Sequence, residues 1–144
     1  MAIHVMGAGG NLGRKVVDAL LDRGVPAGDV VCNVRNPDKV ADLAERGLKV
    51  ARADYDDPAS MVEGFAGAEA LVLIPTFMPV EPRVVQHGNA VHAAQQAGVE
   101  RLAFVSFGNG DPRSRFHVAP FMLYAEAKTR LSGIPATILR DGMY

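Results

Sequence analysis

Apolar residues in this chain gather into short unbroken runs instead of alternating strictly with polar ones. Runs rich in Val, Ile, Leu and Ala occupy 2–6 (AIHVM), 29–34 (DVVCNV), 48–53 (LKVARA), 69–74 (EALVLI), 101–107 (RLAFVSF) and 135–139 (PATIL). Each predicts a strand, and several show little polar alternation, which is expected of strands covered on both faces. The intervening segments are long enough for helices. The first is expected to carry Leu12, Val16, Ala19, Leu20 and Arg23 along one side and to stop at Gly24. The second, over 36–47, has Pro37 in its first turn, Val40, Leu43 and Ala44 inward, and Gly47 as its end. A short helix near 57–65, a longer one over 82–98 and a last one over 120–133 complete the pattern. Strand alternating with helix in this way predicts a doubly wound α/β fold of Rossmann type, a parallel sheet with helices on both faces, because each parallel pair needs a right-handed crossover.

Composition narrows the picture. The chain has 144 residues, is 49% hydrophobic and carries a formal net charge of −1, which suits one domain over 1–144. No block of like charge favours nucleic acid or an anionic membrane, so a small-molecule ligand is expected. Cys32 stands alone inside an apolar run and reads as a buried hydrophobe. The chain enters its first strand directly, shows no export signal and holds no run of eighteen apolar residues, which predicts a reducing, cytoplasmic setting.

The stretch GAGGNLG puts four glycines into seven positions where the first strand hands over to the first helix. A helix N-terminus there offers unpaired N–H groups and partial positive charge to an anion. In a dinucleotide site Gly7 would permit the tight turn, Gly10 (or Gly9) would let a pyrophosphate approach the main chain, and Gly13 would let the helix lie close on the sheet. Asn11 and Leu12 would supply backbone N–H groups. A turn that merely allows close packing is the simpler alternative. Where an NAD site would place an acid after the second strand, this chain has Arg35, 22 residues after Gly13. A guanidinium there suits a 2′-phosphate, a contact worth about 1.5–3 kcal/mol, and predicts NADP(H) in preference to NAD(H); a solvated strand-end charge is the alternative. Arg14 is a second, less specific phosphate candidate.

With these motifs the chain resembles the NmrA-like branch of the short-chain dehydrogenase/reductase superfamily. Gly7, Gly10 and Gly13 follow that branch's G-x-x-G-x-x-G pattern, and VRNPDK, ADYDDPASM, AVHAAQQAGVERLAFVSF and SGIPATILRDGMY resemble later segments, so the similarity runs the whole length. The resemblance implies that Asp54 contacts the adenine amino group, although DYDDP also offers turn and helix-cap acids. It implies that Ile74, Pro75 and Thr76 line the adenosine and ribose crevice, and that Ser106 and Phe107 approach the nicotinamide. It further implies an NAD(P)H-dependent reductase of quinones or other small carbonyl and alkene substrates, or a non-catalytic NADP-binding sensor acting through a protein partner.

In the wider superfamily a serine works with a tyrosine and a lysine four residues apart, and Ser106, Tyr124 and Lys128 occur in that order. The register that sets Glu126 six residues before Ser132, as in the NmrA-like pattern, instead places Val118 and Met122 at the tyrosine and lysine positions. YAEAK is then a chance match. The histidines have no ligand spacing, and no metal site is expected. Family proteins continue into a small C-terminal lobe over the substrate, which this chain is expected to lack, with Tyr144 near the unfinished nicotinamide pocket. The sixth strand would then be an uncovered edge open to self-association as a homo-oligomer.

Overall fold

All six expected strands form. The computed structural model describes residues 1–108, 111 and 113–142. In chain order they build β1 (Ile3–Met6), α1 (Asn11–Asp22), β2 (Val30–Val34), α2 (Ala41–Glu45), β3 (Lys49–Arg52), α3 (Pro58–Gly64), β4 (Ala70–Leu73), α4 (Val80–Gln96), β5 (Arg101–Phe107), α5 (Ala119–Arg130) and β6 (Ala136–Asp141). The strands pair in parallel in the order β3-β2-β1-β4-β5-β6. The chain thus winds outward from β1 in one direction and then from β4 in the other.

Two apolar layers sandwich this sheet. Val5, Val30, Cys32 and Val34 pack with Val17 of α1 and Leu43 of α2. Met6, Leu71, Leu73, Leu102 and Phe104 pack with Met61, Val91, Phe121 and Ala125 from α3, α4 and α5. β2 is buried at every residue, which explains its unbroken apolar run. Burial pushes the Cys32 thiol up to about 11, so it stays protonated. Among the described residues no helix is long and apolar enough to cross a membrane.

Two helical faces differ from expectation. In α1 Val16 and Leu20 pack half-buried against the core as expected, Gly13 and Val17 are fully buried beside them, and Arg23 is exposed. The segment 36–47 is a 3-10 turn, Pro37–Val40, leading into the short α2. Asn36 caps it by accepting from the Asp38 N–H at 3.1 Å. Val40, the last residue of the turn, and Leu43 of α2 are buried, while Ala44 is exposed. β6 lies at the sheet edge as expected, and a groove of about 440 Å³ runs beside it between Leu12 and Val16 of α1 and Val105 and Leu139 of the sheet.

Polar groups inside the molecule are tied at the ends of elements. His4 Nδ1 lies 3.1 Å from both Asn33 Oδ1 and the Gly64 carbonyl, and Asn33 Nδ2 donates to that same carbonyl at 2.7 Å. His87 Nε2 faces Thr129 Oγ1 at 3.0 Å and the Ala125 carbonyl at 3.1 Å. Since the Thr129 hydroxyl proton goes to Ala125 O, Nε2 must be the donor. Burial pushes His87 down to about 4, leaving a neutral ring that ties α4 to α5.

Glu126, 4% exposed in its side chain, joins α5 to β5 and β6. It accepts from Arg140 at 2.8 and 2.9 Å, from Ser106 at 2.7 Å and from Arg130 at 3.0 Å. The Arg140 bonds, opposed by desolvation and helped by Ser106 and Arg130, hold its carboxyl down at about 2. A depressed carboxylate pKa stabilises the fold above the unfolded value and loses that stabilisation as pH falls through the folded one. Urea unfolding of wild type and Glu126→Gln should therefore differ by about 3 kcal/mol above pH 4.5. The gap should close as pH falls from 4.5 toward about 2. A pH-independent gap would contradict this account.

Candidate nucleotide site

Strand register sets the floor of the site. Met6 lies level with Asn33 on one side and Leu73 on the other, so the loops after β1, β2 and β4 leave the sheet together. This is where the winding direction reverses, the crevice in which open α/β sheets bind ligands. Gly7 turns with φ +85°, and its N–H and that of Ala8 donate to the Asn33 carbonyl at 3.0 and 3.4 Å. Gly10 N–H closes the turn onto Gly7 O at 3.0 Å, and Arg14 N–H is the first in α1 to bond back, to Gly10 O at 2.9 Å.

Gly10 is the N-cap residue and makes no side-chain cap. The amides of Asn11, Leu12 and Gly13 therefore open the helix without an intrahelical acceptor, at its positive end. A Cβ on Gly13 would sit 2.1 Å from Gly7 O and 2.7 Å from Ala8 Cα. The close approach that Gly13 permits is thus to the turn itself, where the sequence reading placed it against the sheet. Gly7 in turn lies against Ile74, whose Cβ would be 3.5 Å from a Cβ added at Gly7.

Arg35 follows β2 directly, is exposed, and forms no ion pair among the described residues. Arg14 differs. Its guanidinium makes two hydrogen bonds to Asp42, one at 3.1 Å, and is held on α2 instead of facing the loop. These bonds also lower the Asp42 carboxyl pKa. Asp54 accepts from the Asp56 N–H at 3.1 Å in a tight turn, whereas the cap of α3 is Asp57, which accepts from the Ser60 N–H at 3.2 Å. Asp54 is half-buried with its second oxygen outside that turn.

Ile74, Pro75 and Thr76 are half-buried and form the loop after β4. Tyr55 donates to Ile74 O at 2.6 Å; its burial raises the phenol pKa, so the proton stays on. Thr76 donates to Gln86 Oε1 at 2.6 Å, and Gln86 Nε2 donates to Asp56 at 2.8 Å. Beyond Thr76 the side chains of Phe77 and Met78 are exposed. Below them Arg83, only 6% exposed, stacks 4.3 Å from the Phe121 ring centre, with its Nε unbonded among the described residues.

Ser106, Tyr124 and Lys128 are not brought together. The Ser106 hydroxyl donates to Glu126, on the side of α5 that faces the sheet. Tyr124 and Lys128 lie on an exposed side, and the Tyr124 hydroxyl reaches toward α4, 3.3 Å from where a Cβ on Gly88 would be. Phe107 ends β5 against Phe116, ring centres 5.0 Å apart. Tyr144 lies outside the described residues. Among the described residues no three His, Cys, Asp or Glu side chains cluster as a metal site.

Sequence reasoning missed Asn33, Arg83 and Gln86. Arg83 and Gln86 share the phase of Ala90, Val91 and Ala94 along α4, so polar residues at inward helical positions were the available signal.

Residues 7–144 match the family model described as NAD(P)H-binding. The chain is 39% identical over 142 residues to quinone oxidoreductase 2 of Escherichia coli, covering 99% of this chain and 49% of that protein. It is 28% identical over 149 residues to an NmrA-like family domain-containing oxidoreductase of Aspergillus flavus, covering 100% of this chain and 48% of the relative. The crystal structure of Citrobacter sp. triphenylmethane reductase complexed with NADP(H) superposes with a TM-score of 0.95 at 36% identity, over 99% of this chain and 50% of that one. The chain spans about half the length of the relatives it matches. With its glycine turn, its open helix start and its sheet order, the chain belongs to the NAD(P)H-binding family, in the NmrA-like branch.

Proposed function

We propose that this chain is the nucleotide-binding portion of an NADPH-dependent reductase that delivers hydride to a small quinone or related carbonyl acceptor. The observation that carries the reading is the opening of α1: free amides at Asn11, Leu12 and Gly13, no capping side chain, and a turn that only glycine at 13 allows. A pyrophosphate fits such a start because it supplies the acceptors that the helix lacks. The bound nicotinamide would supply the hydride.

The chain's own residues bind and orient. Arg35 has no carboxylate partner among the described residues and would be open to the 2′-phosphate, which favours NADP(H) over NAD(H). Asp54 would accept from the adenine amino group through its outer oxygen, and Ile74, Pro75 and Thr76 would form the wall opposite. Phe77 and Met78 offer exposed apolar surface at the rim, suited to a flat acceptor. The acceptor class also follows the quinone oxidoreductase relative. No acid from Tyr124 enters the reading, and no observation of the site favours the sensor alternative.

Titration calorimetry on the full-length protein should show NADPH binding weakened about 10- to 100-fold by Arg35→Asp, with NADH little affected. An unchanged NADPH affinity would remove the phosphate role of Arg35. In steady-state assays Phe77→Ala should raise KM for a naphthoquinone about threefold or more while leaving NADPH affinity alone. Turnover by Tyr124→Phe should match wild type; a loss of a hundredfold or more would return the tyrosine to the mechanism.

A further inference from the structure

Gln86 sits one and a half turns into α4, below the loops that flank the adenosine crevice, and is buried to 6% exposure. Its two amide ends do different work. Oε1 accepts from the Thr76 hydroxyl in the loop after β4, and Nε2 donates to the Asp56 carboxylate in the loop after β3. The polarity is fixed from both sides, since the Asp56 carboxyl oxygen accepts and Thr76 gives its one proton. A second tie, from Tyr55 to Ile74 O, joins the same two loops.

We infer that Gln86 is a positioning residue for the nucleotide: a single amide that sets the separation of the two crevice walls, Asp54–Asp56 on one side and Ile74–Thr76 on the other. This rests on the nucleotide-binding reading above and adds a residue that touches no part of the ligand. Asp56 carries the second tie of a turn whose first residue, Asp54, faces the adenine in that reading. A shift of Asp56 therefore moves Asp54, and release of Thr76 frees the opposite wall.

Gln86→Glu tests this because it keeps the shape and reverses one end. The introduced carboxylate still accepts from Thr76 but meets Asp56 at a hydrogen-bond distance, where two carboxylates cannot both stay ionised. Other titratable groups around the position are Asp54 and Tyr55 on the β3 loop, Arg83 and His87 on α4, and Lys128 on α5, which acts on His87. His87 is already neutral at neutral pH and Tyr55 keeps its proton, so the carboxylate pair is the pH-sensitive element the variant adds.

The probe is adenosine 2′,5′-bisphosphate, titrated into the full-length protein, with variant and wild type compared at each pH. At about pH 8 Gln86→Glu should bind about tenfold more weakly. At about pH 5.5 a proton shared by the pair restores the missing donor, and the ratio should fall toward one. Adding Asp56→Asn to Gln86→Glu returns a donor to the contact and should recover wild-type affinity at about pH 8 to within about twofold. Thr76→Val, which opens one end only, should weaken binding about threefold. Equal binding by Gln86→Glu and wild type at both pH values overturns this inference alone. So does a loss that neither acid nor the Asp56→Asn swap repairs, because a purely structural defect behaves that way. A wild type that binds no bisphosphate and no NADPH overturns the functional reading, and this inference with it.

Discussion

The structure turns on the contact between the first helix and the turn that precedes it. Gly13 lies so close to the Gly7 carbonyl that no side chain fits, and the helix can begin only where the turn ends. This places the open amides of α1 at the switch point of the sheet, between β1 and β4, with no capping side chain among the described residues. Gly10 and Asn11 are exposed, so this helix start opens to solvent with its first amides unpaired. Here the same arrangement leaves a polar, positively polarised surface at the one crevice that the winding creates.

Around that contact, the loops are held from below by a small set of buried polar groups. Asn33 is central. Its carbonyl receives Gly7 and Ala8, while its side chain reaches Gly64 and meets His4. The glycine at 64 presses against β3, since a Cβ there would be 2.5 Å from Arg52 O, and this brings its carbonyl within reach of Asn33. Burial and these bonds act in opposite directions on His4, burial being the larger, so its pKa is lowered and the neutral ring is the resident form. At the far side Glu126 does the equivalent work for β5 and β6. Both clusters fix strand ends, and strand ends are where the loops start.

Apolar runs and glycine stops were enough for the sheet and its helices, although only β1 and β2 are buried throughout and the edge strands β3 and β6 are largely exposed. The sequence pattern was also enough for the glycine turn and for Arg35 as a free charge. It could not give Gly13 and Val17 as the most buried line of α1, nor the 3-10 turn that precedes a short α2 with Ala44 outside. Spacing alone paired Tyr124 with Lys128 and set Ser106 beside them. In three dimensions the Ser106 proton points to Glu126 and the tyrosine to α4, since residues two apart on a helix face opposite ways. The residues that escaped notice, Asn33, Arg83 and Gln86, are polar groups at inward positions, and the contacts that explain the two amides, to Gly64 and to Asp56, come from other elements distant in sequence.

The two arginines near the glycine turn show how context divides like residues. Arg14 and Arg35 carry the same charge, yet Arg14 projects from α1 onto Asp42 of α2 and is neutralised there, while Arg35 leaves β2 with no carboxylate within the described residues to bond it. An exposed, unpaired guanidinium keeps its bidentate donors available, whereas a paired one must first lose its partner. The same pairing occupies the Asp42 carboxylate. Selectivity for a phosphorylated ribose would therefore rest on two features together: one arginine left open, and one acid already occupied.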